Sequence, residues 1–85
     1  MEAFPLSRLP IWRSGRICSL SLPNEQRRRL LGLGFAPGAQ VCPLQRAPWG
    51  DPTAYWIQGA VIALRQCDAS HIFVRLLTEE AQAVS

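Results

Sequence analysis

The apolar positions of this chain come in short runs punctuated by proline and glycine, and most runs have the period of a strand. Residues 71–76 (HIFVRL) alternate, with Ile72, Val74 and Leu76 on one side and His71, Phe73 and Arg75 on the other, as in a half-buried strand. Residues 53–58 (TAYWIQ) are rich in aromatic and β-branched side chains, Gly59 supplies a tight turn, and residues 60–65 (AVIALR) follow as the hairpin partner. Earlier, residues 16–20 (RICSL) form a first strand entered through Ser14-Gly15 and stopped by Leu22 and Pro23. Residues 39–46 read as another strand, which Pro43 demotes to an edge or kinked position. The loop 47–52 (APWGDP) is too rich in proline and glycine to continue a ladder and becomes a protruding hairpin tip.

One segment has helical character instead. In NEQRRRLLGLG, from Asn24 to Gly34, Pro23 and Asn24 give start signals, Glu25 lies near the positive end, and Gly34 terminates in the left-handed region. At 100° per residue, Leu30, Leu31 and Leu33 define the buried face. Arg28 and Arg29 lie off that face, while Arg27 stacks one turn before the leucines and lays its stem over apolar surface. Pro37 and Gly38 then fit a type II turn leading into the next strand, and residues 66–70 are a polar break of about one helical turn.

Five short strands with one helix after the first predict a mainly β fold, a small closed barrel in which closure removes exposed edges. The expected organisation is a flexible or loosely docked arm over 1–10, one domain over 11–77 and a tail over 78–85. An 85-residue chain has room for a single core.

Composition narrows the function. Nothing approaches a membrane span or a secretory leader, so a soluble cytoplasmic protein is expected. The three cysteines, Cys18, Cys42 and Cys67, show no CxxC pairing and read as small buried hydrophobes instead of a disulfide or zinc framework. The net charge of +3 comes from nine arginines without a lysine, a modest bias toward acidic partners. A phosphate-binding GxxxxGK[ST] loop is excluded, and with His71 as the lone histidine and no glycine-flanked serine elbow, a catalytic triad is unsupported. No enzyme activity and no cofactor are expected. Cys67, Asp68 and His71 lie close in sequence, but three potential ligands from one short segment do not make a metal site.

Taken in order, RRLLGLGFAPGAQV (28–41), APWGDP (47–52), Gly59 and LRQCDASHIFV (64–74) resemble the ferrous-iron transport protein A (FeoA) family. The resemblance implies an SH3-like barrel working beside FeoB, the membrane ferrous-iron permease whose cytoplasmic part is a GTP-binding domain. Two positions depart from the family pattern. Gln66-Cys67-Asp68-Ala69 keeps one acid where members often have two, and Trp49 replaces a leucine in the hairpin loop.

Candidate partner contacts follow. Trp49, at the tip between Pro48 and Gly50, can anchor a partner or fold back over one end of the barrel. Arg28 and Arg29 can meet an acidic patch or simply solvate the helix. Asp51 either closes a local side-chain turn before Pro52 or touches the partner. An alternative is a small nucleic-acid-binding barrel, disfavoured because Tyr55 and Trp56 fall on opposite faces of one strand. Proline-rich peptide binding would need an aromatic-lined groove that the sequence does not clearly supply.

Overall fold

The computed structural model describes residues 2–77, and the expected tail over 78–85 lies outside the described residues. Six antiparallel strands form one sheet: β1 (Phe4–Pro5), β2 (Gly15–Leu20), β3 (Gln40–Arg46), β4 (Thr53–Ile57), β5 (Ala60–Leu64) and β6 (Ile72–Leu76). Their order across the sheet is β1-β6-β2-β3-β4-β5. Helix α1 (Asn24–Gly32) follows β2, and a single turn, α2 (Gln66–Ala69), joins β5 to β6. Inward side chains from β2 to β6 meet in one cluster that includes Ile17, Val41, Tyr55, Ile57, Leu64, Ile72 and Val74, so the sheet curls around its own core. No helix of the described residues is long and apolar enough to cross a membrane.

Residues 2–10 depart most from expectation. They are not a loose arm: Phe4 and Pro5 pair with Val74 and Phe73 of β6, adding a sixth strand. A 3-10 turn, Leu6–Arg8, then drives Leu6 (0% exposed) and Leu9 (1%) into the core. Two leucines three apart suit this turn, where side chains at i and i+3 eclipse. Closure is also incomplete, because no ladder joins β1 to β5 among the described residues.

Helix α1 buries one leucine instead of three. Leu30 is fully enclosed, whereas Leu31 and Leu33 are both 39% exposed. The reason lies in how the helix stops. The Phe35 N–H donates to the Leu30 carbonyl and the Gly34 N–H to the Leu31 carbonyl, both at 3.0 Å, around Gly34 at φ +108°. This Schellman closure swings Phe35 beneath the helix, where it joins Leu30 in the core and meets Tyr55 edge-on at 6.4 Å between ring centroids. Phe35 thus takes the place expected for the outer leucines. Beyond it, the Ala39 N–H closes on the Ala36 carbonyl at 3.0 Å across Pro37 and Gly38 (φ +92°), the predicted type II turn.

Pro43 sits inside β3, where the register shifts between Pro43 and Gln45. Its carbonyl accepts from the Trp12 N–H at 2.7 Å, on the side where the β2 ladder has already ended. The N–H that proline lacks would have pointed to that same side, so no ladder bond is lost.

Candidate functional site

Helix α2 organises the region that carries most of the predicted contacts. The Asp51 carboxylate accepts from the Gln66 N–H at 2.8 Å, capping α2 from fifteen positions away in sequence. Asp51 is therefore tied into the fold over a long range instead of forming a turn with its neighbours. On the same turn, Asp68 pairs with Arg29 of α1 at 3.3 Å. Through α2 the hairpin loop and helix α1 become fixed to one another, and Arg29 is held where Arg28 stays exposed without a bonded partner among the described residues. Arg27 does not cover the core: it is exposed and donates to the Asn24 side chain at 3.2 Å.

The loop over 47–52 is closed by two backbone bonds, Ala47 N–H to the Pro52 carbonyl at 2.9 Å and Gly50 N–H to the Ala47 carbonyl at 2.7 Å. Gly50 adopts φ +90°, a region its missing Cβ makes accessible. Trp49 rides at the apex, 89% exposed, so it does not cover the barrel end. An indole held in water on a fixed loop costs little further ordering when a partner covers it.

Beneath this loop lies a polar depression of about 210 Å³ lined by Ser7, Arg46, Gly50, Thr53, Tyr55 and Gln66. Burial pushes the Tyr55 hydroxyl above its ordinary pKa, and the nearby Asp51 carboxylate adds to this, while the Thr53 hydroxyl and the Arg46 charge act in the opposite sense. Against the expectation of buried thiols, Cys18 and Cys42 are only half-buried and Cys67 is exposed, because its turn of α2 directs only Ala69 into the core. His71 is also exposed, and among the described residues no group of three or more His, Cys, Asp and Glu side chains is placed to hold a metal ion.

A second feature escaped sequence reasoning. Trp12, Ser14, Gln40, Cys42, Leu44 and Trp56 line a groove on the outer face of the sheet. Tyr55 is buried and Trp56 is 37% exposed, as their opposite faces require, but Trp12 supplies a second indole from the turn before β2. Burial raises the Cys42 thiol pKa and the Ser14 hydroxyl lowers it, with burial dominant, so the groove carries no charge at neutral pH. The available signal was the alternation of Trp56, which places it on the same face as Cys42 across the ladder. Nothing in the sequence located Trp12.

Known proteins share this architecture. Residues 4–76 match the family described as the FeoA domain. A 55-residue stretch is 38% identical to part of an Fe(2+) transport protein A/Fe(2+) transporter FeoB fusion protein of Porphyromonas gingivalis, covering 65% of this chain and 6% of that protein. FeoA of Chlorobium tepidum superimposes with a TM-score of 0.84 at 32% identity, over 88% of this chain and 71% of that one. FeoA of Stenotrophomonas maltophilia, solved with zinc and described as a prokaryotic SH3 domain protein and candidate activating factor for ferrous iron transport, gives 0.73 at 30%, over 85% and 89%. The barrel is SH3-like, and the chain belongs to the FeoA domain family of ferrous iron transport.

Proposed function

We propose that this protein is a cytoplasmic accessory of ferrous-iron uptake, binding the FeoB permease and modulating its activity without catalysing a reaction itself. The observation that carries this reading is the P. gingivalis protein, in which a homologous segment belongs to the same polypeptide as an Fe(2+) transporter FeoB. Fusion holds two parts at high effective concentration, an arrangement of use to domains that touch. On this chain, Trp49 is the anchor, a fixed apolar tip at 89% exposure. Arg28 provides a free guanidinium for an acidic patch on the GTP-binding domain, whereas Arg29 and Asp51 hold the surface in shape through α2.

The test is ferrous-iron uptake in a strain that depends on this protein. Trp49→Ala combined with Arg28→Glu is expected to abolish complementation while the protein accumulates normally. Uptake indistinguishable from the unaltered protein would remove these contacts from the account.

A further inference from the structure

Strands β2 to β6 contain Arg16, Arg46 and Arg75 but no acidic residue. Arg16 and Arg75 stand directly opposite one another in the β2–β6 ladder, and both are exposed. Like charges so placed repel and weaken a sheet. Arg16 donates to the Gly38 carbonyl at 2.8 Å, which fixes its guanidinium without neutralising it. Glu2 lies two residues before β1, the neighbour of β6, yet the ion pair of the described residues is Arg29–Asp68. The arginine pair therefore lacks a counter-ion among the described residues.

The tryptophan groove adjoins this pair. Gln40 faces Arg16 across the β2–β3 ladder and reaches the Ser14 hydroxyl at 3.4 Å, and both line the groove. Trp56 faces Cys42 from β4, the Trp12 N–H donates to the Pro43 carbonyl of β3, and both tryptophans line the groove together with Cys42 and Leu44. Trp12 adopts φ +69°, a left-handed conformation unusual for a bulky side chain, and remains 70% exposed. One face thus carries a bulky residue in a left-handed conformation and two arginines at opposed ladder positions, with both side chains exposed.

We propose that this face docks an extended acidic segment of a partner protein, one apolar side chain seated between Trp12 and Trp56 and carboxylates set over Arg16 and Arg75. Charge complementarity selects the occupant: an arginine pair without a counter-ion among the described residues at one end, an uncharged apolar groove at the other. A single-stranded nucleic acid fits less well, since its phosphates recur at every nucleotide and call for basic groups along the whole track. The surface is separate from Trp49 and stands whether or not FeoB is the partner.

The test is selection of random twelve-residue peptides on the full-length protein, followed by calorimetric titration of the enriched sequences as synthetic peptides. Enriched peptides are expected to be net acidic with a large apolar residue. Arg75→Glu should weaken them by about tenfold or more, as loss of a complementary charge does, while shifting the thermal midpoint upward because it turns the Arg16 repulsion into an attraction. Trp12→Ala should weaken them similarly with the fold retained. Enrichment without acidic bias, or affinities unchanged by Arg75→Glu, would overturn the proposal. So would oligothymidylate binding tighter than the peptides and lost in the same variants. The chain itself continues past Leu77, whose N–H donates to the Ser14 carbonyl, to Glu79 and Glu80. If Glu79→Gln with Glu80→Gln tightened peptide binding by about tenfold, an internal occupant would replace the external one.

Discussion

Replacing Leu6 by alanine tests whether the segment from Phe4 to Leu9 is packed on the core. Leu6 is 0% exposed and packs in the same cluster as Ile72 and Val74 of β6. The substitution deletes three carbon groups at about 0.8 kcal/mol each, or about 2.4 kcal/mol of transfer free energy. The cavity left behind raises the total to about 3 kcal/mol or more, within the range of measured leucine truncations. A domain of 85 residues has roughly 4–13 kcal/mol to lose. Leu6→Ala therefore removes a large part of it and lowers the thermal midpoint by about 12–24 °C. Urea unfolding followed by far-ultraviolet circular dichroism reads the change as a lower midpoint at constant slope. A loss below about 0.5 kcal/mol, the ordinary scatter of surface substitutions, would mean that the segment is not packed as described.

Other consequences are open to measurement. Asp51→Ala uncaps α2 and is expected to cost about 1 kcal/mol, read by urea unfolding, with Asp51→Asn recovering part of it because the amide oxygen still accepts from Gln66. Tyr55 has a folded-state pKa above its ordinary 10.0, so the unfolded chain releases that proton first. The stability it contributes is fully present below pH 10 and is lost as pH rises through the folded pKa, and Tyr55→Phe should flatten that alkaline decline. Because Tyr55 is the one tyrosine in the chain, ultraviolet difference absorbance follows its titration directly. Asp68→Ala breaks an ion pair whose arginine side chain is 56% exposed, so a loss under about 1 kcal/mol is expected by urea unfolding, smaller still in high salt.

The parts of the fold legible in the sequence were those governed by local rules. The alternation of 71–76, the Gly59 hairpin, the Gly34 helix stop and the Pro37-Gly38 turn each reappear as β6, the β4–β5 connection, a Schellman closure and a type II turn. The parts that were not legible depend on distant contacts. A two-residue strand such as Phe4–Pro5 has no period to read, and it exists because β6 offers an edge. Leu31 and Leu33 looked buried because helical spacing ignores where the chain goes after Gly34, and Phe35 fills the position. At the site, the sequence suggested that Trp49 and Arg28 are exposed, and both are, but the work of Asp51 and Arg29 on α2 links positions 15 and 39 apart in sequence. Trp12 became visible only once its N–H met the Pro43 carbonyl and brought it to the groove of Trp56.

The most direct test of the partner reading is a fluorescence titration with the isolated cytoplasmic domain of the cognate permease, in the presence and absence of guanine nucleotides. Trp12→Phe with Trp56→Phe leaves Trp49 as the single indole of the three in the chain, and the permease domain would be prepared without tryptophan. At 89% exposure its emission starts as that of a solvated indole. Saturable binding with a blue shift as Trp49 enters an apolar pocket is the predicted result. A titration that leaves the emission unshifted in every nucleotide state would contradict the placement of Trp49 at the contact with that domain.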